Sequence, residues 1–280
     1  MNAIEIKGLN KALRDFEIKD ISLTLPTGYV LGLIGENGAG KSTTIKLILD
    51  LMKKDSGSVK LLGRDCEKEM TLVKEDIGVV FDECCFPAEF NAKKVGRMLS
   101  SVFRNWDNNK YEELLGRFEL PVKKNIAKYS RGMKMKLSIA AALSHNARLL
   151  ILDEATSGLD PVVRDEITDI LLDFVSDGEH SILISSHIVS DLEKMCDYIA
   201  FIHKGRLMLS EEKDKLYEDY CVIHCTEKEL DQIEKEAVIG KKLGTLGAEA
   251  IVLKSAVPSD IKPYPIDIEK LFIFMVKERE

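Results

Sequence analysis

The stretch Gly35-Glu36-Asn37-Gly38-Ala39-Gly40-Lys41-Ser42-Thr43 restricts this chain more than any other part of it. It fits the pattern G-x-x-x-x-G-K-[ST], and its surroundings fit as well. An apolar run over 29–34 leads in, and Ile45, Ile48, Leu49 and Met52 lead out on one helical face. Strand, glycine-rich loop and helix together make an anion cradle. Gly35, Gly38 and Gly40 let the backbone wrap closely where a side chain would block the approach or forbid the dihedrals. Successive amide N–H groups and the positive end of the following helix then face the anion. The pattern suits nucleotide phosphates, with Lys41 reaching the β- and γ-phosphates and the Ser42 hydroxyl on Mg²⁺.

A chain of 280 residues holds one large domain or two smaller ones. A hydrophobic fraction of 45% with 31% charged residues supplies a full core under a charged surface. The net charge of −7 argues against a nucleic-acid binder resting on a basic face. No stretch approaches the roughly twenty apolar residues of a membrane span, and the first residues lack signal-peptide character. A soluble, cytosolic chain is expected. Cys66, Cys84, Cys85, Cys196, Cys221 and Cys225 do not form a disulfide framework, and reduced thiols are expected.

In chain order, residues 1–30 read as an antiparallel ribbon beside the strand that feeds the loop. Short strands follow over 59–63 and 77–81. Residues 83–146 lose the strand pattern and read as an inserted helical subdomain, with helices around 92–103, 110–118 and 133–143. Strand and helix then alternate: 148–153, 162–175, 181–187, 189–196 and 198–202, with a return strand over 206–209. Such alternation implies a parallel sheet with ligands at the strand C-termini. Residues 216–280 form a small α+β accessory domain beyond an ATPase domain over 1–215. Strands are expected there at 221–225 and 250–253, and helices over 227–236 and 268–276.

The apolar strand ending in Asp153-Glu154 is the natural partner of a phosphate loop. The first acid orients Mg²⁺ through its water shell, and the second polarises an attacking water. Upstream lies Tyr129-Ser130-Arg131-Gly132-Met133-Lys134. Downstream lie Ala155-Thr156-Ser157-Gly158-Leu159-Asp160-Pro161 and Ser185-Ser186-His187. This ordered set resembles the ATPase subunit of ATP-binding cassette (ABC) transporters over residues 1 to about 215. The resemblance implies a P-loop α/β fold with an N-terminal antiparallel ribbon, a mixed core sheet and a helical subdomain. It implies ATP and Mg²⁺ as ligands, with Asp153 as the metal-orienting acid, Glu154 as general base and His187 as the switch histidine on the γ-phosphate. Ser130 and Gly132 correspond to the signature that contacts ATP held by a second copy, and Asp160 to the loop that communicates across that dimer.

Three positions depart from the family pattern. Asp82 stands where Gln is usual; it serves either as a metal ligand or as a strand cap. Leu13 falls where an aromatic normally stacks on adenine; Phe16 is the nearest aromatic and serves either that role or the core. Arg131 replaces a signature glycine. The ending over 267–272 and the stretch 104–107 are similar to bacterial exporter-type cassettes, which pair with a separately encoded membrane permease. The resemblance therefore implies a peripheral subunit on the cytoplasmic face of the membrane, dimerising head to tail and powering export of peptide, antibiotic or lipid-like cargo. The competing readings are a soluble ABC ATPase outside transport and a low-activity ATP-sensing subunit.

Overall fold

The computed structural model describes residues 1–244 and 247–277. The nucleotide half begins with strands β1 (Asn2–Ala12), β2 (Glu17–Pro26) and β3 (Val30–Ile34), then helix α1 (Lys41–Ile48). Strands β4 (Ser56–Leu61) and β5 (Arg64–Asp65), helix α2 (Cys66–Val73) and strand β6 (Ile77–Val80) lead to the helical region. That region holds α3 (Ala92–Ser100), α4 (Asn108–Arg117) and α5 (Arg131–Leu143). The side chains of Asn91, Asp107 and Ser130 accept the first free amides of these helices, so each starts where a polar cap precedes the helical pattern. Strand β7 (Leu149–Asp153), helix α6 (Pro161–Val175), strand β8 (Ser181–Ser186), helix α7 (Val189–Met195) and strands β9 (Tyr198–His203) and β10 (Arg206–Glu212) complete the half.

Ten strands form one mixed sheet in the order β5-β4-β1-β2-β10-β9-β3-β8-β7-β6. The antiparallel ribbon is present, but it does not lie beside β3. Strands β9 and β10 stand between them, and a single parallel register, Arg206 with Lys19, joins the ribbon to the rest. The central strands are buried on both faces, and their period of two divides their side chains between two cores. Val30, Ile34, Leu150, Leu152, Ile182, Ile184 and Phe201 face the helical side. Leu31, Leu33, Leu149, Ile151, Leu183 and Ile202 face the core beneath the ribbon and α1.

The C-terminal residues form α8 (Lys213–Asp219), β11 (Tyr220–Cys225), α9 (Glu227–Leu230), β12 (Val238–Gly244), β13 (Gly247–Leu253), β14 (Pro263–Tyr264) and α10 (Ile268–Lys277). The helix expected over 227–236 is short: a capping box between Thr226 and Glu229 starts it, and it ends at Leu230. Strand β12 and helices α2 and α8 lack a strong enough local pattern to be foreseen. The expected boundary at 215 falls inside α8. One face of the sheet β12-β13-β11-β14 carries its own core around Cys221, Ile223, Ala250 and Val252. The other shares a core with the nucleotide half through Val222, Ile251 and Leu271, and the rings of Phe201 and Phe272 meet at 5.2 Å. Glu193 of α7 ties the halves with polar bonds: its carboxylate accepts from Tyr217 Oη at 2.5 Å and from the Ile268 amide at 3.3 Å.

His145 sits under the helical region, buried, stacked on Phe103 at 4.0 Å and with Nε2 3.0 Å from the Ile77 carbonyl. Burial holds its pKa below the ordinary imidazole value of 6.5, outweighing the two carbonyls that favour the charged ring. Below that value the unfolded chain takes up a proton that the folded chain resists. The contribution of His145 to stability is therefore complete above pH 6.5 and lost as the pH falls towards the depressed folded value. Chemical denaturation at a series of pH values checks this: His145→Gln should flatten part of the stability loss between about pH 7 and pH 5.

Candidate functional site

The register of three parallel strands builds the site. Ile34 of β3 pairs with Ser186 of β8, and Asp153 of β7 pairs with Ser185 of β8. Gly35, Glu154 and His187 therefore leave the sheet at one edge, beyond the strand C-termini. The phosphate loop runs from Gly35 to Gly40, with Glu36, Asn37 and Gly38 exposed on its rim. Gly40 caps α1 at φ 111°, and a Cβ there would lie 2.7 Å from Ile18 Cδ1 and 2.9 Å from Phe16 Cζ. Only glycine meets both conditions. The same contact locates Phe16: its half-buried ring stands against the last glycine of the loop.

Lys41 is buried at the start of α1. Its ammonium donates to the carbonyls of Gly35 at 2.7 Å and Glu36 at 3.2 Å, and stands 3.0 Å from Glu154 Oε1. The other Glu154 oxygen, Oε2, lies 2.7 Å from His187 Nδ1. Glu154 is thus the hub, joining the phosphate loop to the end of β8. Its backbone is held in the left-handed region at φ 52°, which turns the side chain away from the strand direction and costs of order 1–3 kcal/mol for a residue other than glycine. Asp153 is buried as well. Its Oδ1 accepts from Ser42 Oγ at 3.1 Å and from Ser185 Oγ at 2.7 Å.

Ser42, Ser185 and Asp153 present hard oxygen donors around one point. Among the described residues no group of three or more His, Cys, Asp or Glu could hold a metal by itself. That donor set fits Mg²⁺, which keeps waters and substrate phosphates and takes one or two protein ligands.

The remaining expected residues lie on other surfaces. Ser130 caps α5 by accepting the Met133 amide at 3.2 Å. Gly132 follows it, with Val163 and Leu159 of the neighbouring segment nearest. Asp160 caps α6 by accepting the Val163 amide at 3.1 Å. Asp82 is exposed beyond β6 and forms a close ion pair with Arg131, each side chain being half exposed. A pair so placed contributes about 0–1 kcal/mol. The Lys41–Glu154 contact is much the more buried of the two pairs.

Two partnerships were not foreseen from sequence. Ser185 holds Asp153 and also accepts the Glu154 amide at 3.1 Å. In the sequence Ser185 stood out only as the polar end of a buried strand and as part of the Ser185-Ser186-His187 motif, neither of which names its partner. Arg164 of α6 reaches Asp191 of α7 at 3.2 Å and the Leu159 carbonyl at 3.4 Å, linking the segment before Asp160 to the helix after His187. Removing the Ser185 hydroxyl leaves a buried carboxylate oxygen short of a donor. Ser185→Ala should lower unfolding free energy by about 1.5–3 kcal/mol, read as a lower denaturant midpoint at unchanged slope; an unchanged midpoint would show that the hydroxyl contributes nothing to the fold.

Comparison with known proteins gives the family. The family described as ABC transporter matches residues 18–157. The ABC transporter ATP-binding protein YtrB of Bacillus subtilis (strain 168) is 33% identical over 221 residues, covering 79% of this chain and 75% of that protein. The lantibiotic transport ATP-binding protein SrtF of Streptococcus pyogenes is 34% identical over 216 residues, covering 75% of this chain and 91% of its own length. Among solved structures, an ATP-binding subunit of an ABC transporter superposes with a TM-score of 0.70 at 27% identity, covering 76% of this chain and 91% of the other.

Proposed function

From the premise that this chain belongs to the ABC transporter family, as an ABC-type ATPase and ATP-binding subunit, we propose that two copies close head to tail around two ATP molecules and power export through a separately encoded membrane permease. The observation that carries the reading is Glu154 held between Lys41 and His187 at the edge of the sheet. Residues 1–215 act as the ATPase unit, with the helical region over 83–146 as its coupling part, and 216–280 as an accessory unit.

The phosphate tail of ATP lies along the loop from Gly35 to Thr43, on the amides at the N-terminus of α1. Asn37 and Gly38 form the rim that the tail crosses. Lys41 trades Glu154 for phosphate, since both compete for one ammonium. The freed Glu154 carboxylate then accepts a proton from the water that attacks the γ-phosphorus, while the bridging oxygen leaves with ADP. His187 orients Glu154 and touches the γ-phosphate. Phe16 lies beside Gly40, where the adenine end can stack on it. Ser42 and Asp153 would hold Mg²⁺, with Asp82 as a further candidate; the ion supplies charge neutralisation on the β- and γ-phosphates. From the second copy, Ser130 and Gly132 close over the γ-phosphate, and Asp160 meets the facing loop.

The permease docks in a groove of about 490 Å³ beside the helical region, lined by Leu51, Phe81, Cys85, Phe86, Val102 and Phe103. The exposed apolar surface of Leu51 and Val102 suits a partner's helix. No helix among the described residues is long and apolar enough to cross a membrane, so the crossing falls to that partner. The relative named as a lantibiotic transport ATP-binding protein supports antibiotic or peptide-like cargo.

Glu154→Gln keeps the shape of the side chain and removes its base. ATP turnover should fall by about 10²–10⁴-fold, and the variant should form a dimer that depends on ATP, read by light scattering after gel filtration. Turnover at the parent rate would remove Glu154 from the role of base.

A further inference from the structure

Arg131 brings a full positive charge between Ser130 and Gly132. Within its own chain it joins three segments. It is the first residue of α5. Its Nη2 pairs with Asp82 Oδ1, in the loop that leaves β6 for the helical region. Its guanidinium also lies against Gly158, where an added Cβ would stand 2.8 Å from Nη1, and Gly158 has φ +67°. Glycine at 158 therefore leaves the space that Arg131 occupies, in the segment that leads to Asp160.

We propose that the Asp82–Arg131 pair is a release contact: it tethers the loop after β6 to the N-terminus of α5 within one subunit and is given up when two copies close over ATP. Arg131 is thereby a positioning residue for closure. The inference rests on the head-to-tail reading above. The two poles of the pair have different destinations in that dimer. On that reading Asp82 is a candidate for the metal at its own chain's nucleotide, whereas Arg131 flanks the residues that meet the nucleotide of the other copy. The pair cannot persist while both are engaged.

The chemistry favours exchange. Both side chains are half exposed, so the pair is weak and opens readily. A terminal phosphate can accept two hydrogen bonds from the planar guanidinium, as a carboxylate can, and it carries more charge. The tether also reaches the docking groove. Glu83, next to Asp82, lines both that groove and the polar pocket containing Asp82, Arg131 and Lys134. Release of the tether therefore loosens the permease-facing loop in the same event that closes the dimer. An interaction present in only one of two states biases the equilibrium towards that state. Removing it must favour the closed dimer.

Asp82→Asn is the informative variant, because it removes the charge and keeps a carbonyl oxygen for a metal. Two measurements on the full chain test the proposal. The first is hydrogen exchange without nucleotide. Exchange should rise together in peptides covering 82–86 and 130–135 in Asp82→Asn, and should return towards the parent in the double swap Asp82→Arg with Arg131→Asp. The second is the ATP concentration that half-dimerises the protein in a Glu154→Gln background. Each closure releases two tethers, so the dimerisation constant should rise by about 2- to 20-fold in Asp82→Asn. The thermal midpoint should stay within about 2 °C of the parent, as for an ordinary surface substitution. Unchanged exchange in both segments, or a dimerisation constant that is unchanged or lower, overturns the proposal. A Glu154→Gln parent that never dimerises with ATP instead overturns the head-to-tail reading, on which the release step depends.

Discussion

The parallel pairing of β3, β7 and β8 is the constraint on which the rest of the structure depends. Parallel strands in register end together, so whatever follows each strand is delivered to one edge. Here those continuations are the phosphate loop, Glu154 and His187. The pairing survives because alternate side chains of each strand are buried on opposite faces. A slip of one residue would turn every apolar side chain to the other core and misalign the edge at the same time. Stability and function are therefore set by one register.

Charge at that edge is arranged as a chain of exchangeable partners. Lys41 holds Glu154, Glu154 holds His187, and the hydroxyls of Ser42 and Ser185 hold Asp153. The two acids differ in partner type. Asp153 is fixed by neutral donors, which suits a residue that keeps its place. Glu154 is held by a lysine and a histidine, both of which can also pair with another anion. A site of this kind needs no large motion of the sheet to change state, because a new anion redistributes contacts that already exist.

The accessory unit enters the same logic through α7. That helix follows His187 directly, and Glu193 on it is bonded by Tyr217 and by the start of α10. Leu192, Met195, Phe201 and Phe272 share one core. The helix after His187 is thus packed between the nucleotide half and the C-terminal sheet, and Arg164 joins it to the segment before Asp160. The C-terminal residues share one core with the nucleotide half and keep a second core of their own.

The phosphate loop, the paired acids at the end of an apolar strand, the helical region over 83–146 and the order of the motifs were legible in the sequence. Each rests on neighbouring residues: a glycine pattern, a period of two or 3.6, a polar cap before a helix. Contiguous chemistry of that kind needs no knowledge of what lies across the sheet. The partners of those residues were decided only by the tertiary structure. Whether Asp82 meets a metal, a strand end or Arg131 depends on how α5 returns over the loop after β6, a contact across 49 residues of chain. The insertion of β9 and β10 between the ribbon and β3, and the shared core that absorbs α8 and α10, depend on the same long-range packing. Local periodicity states which face of an element is apolar. Only the folded arrangement selects which other face covers it, and that selection chose the partners of Asp82, Ser185 and Glu193.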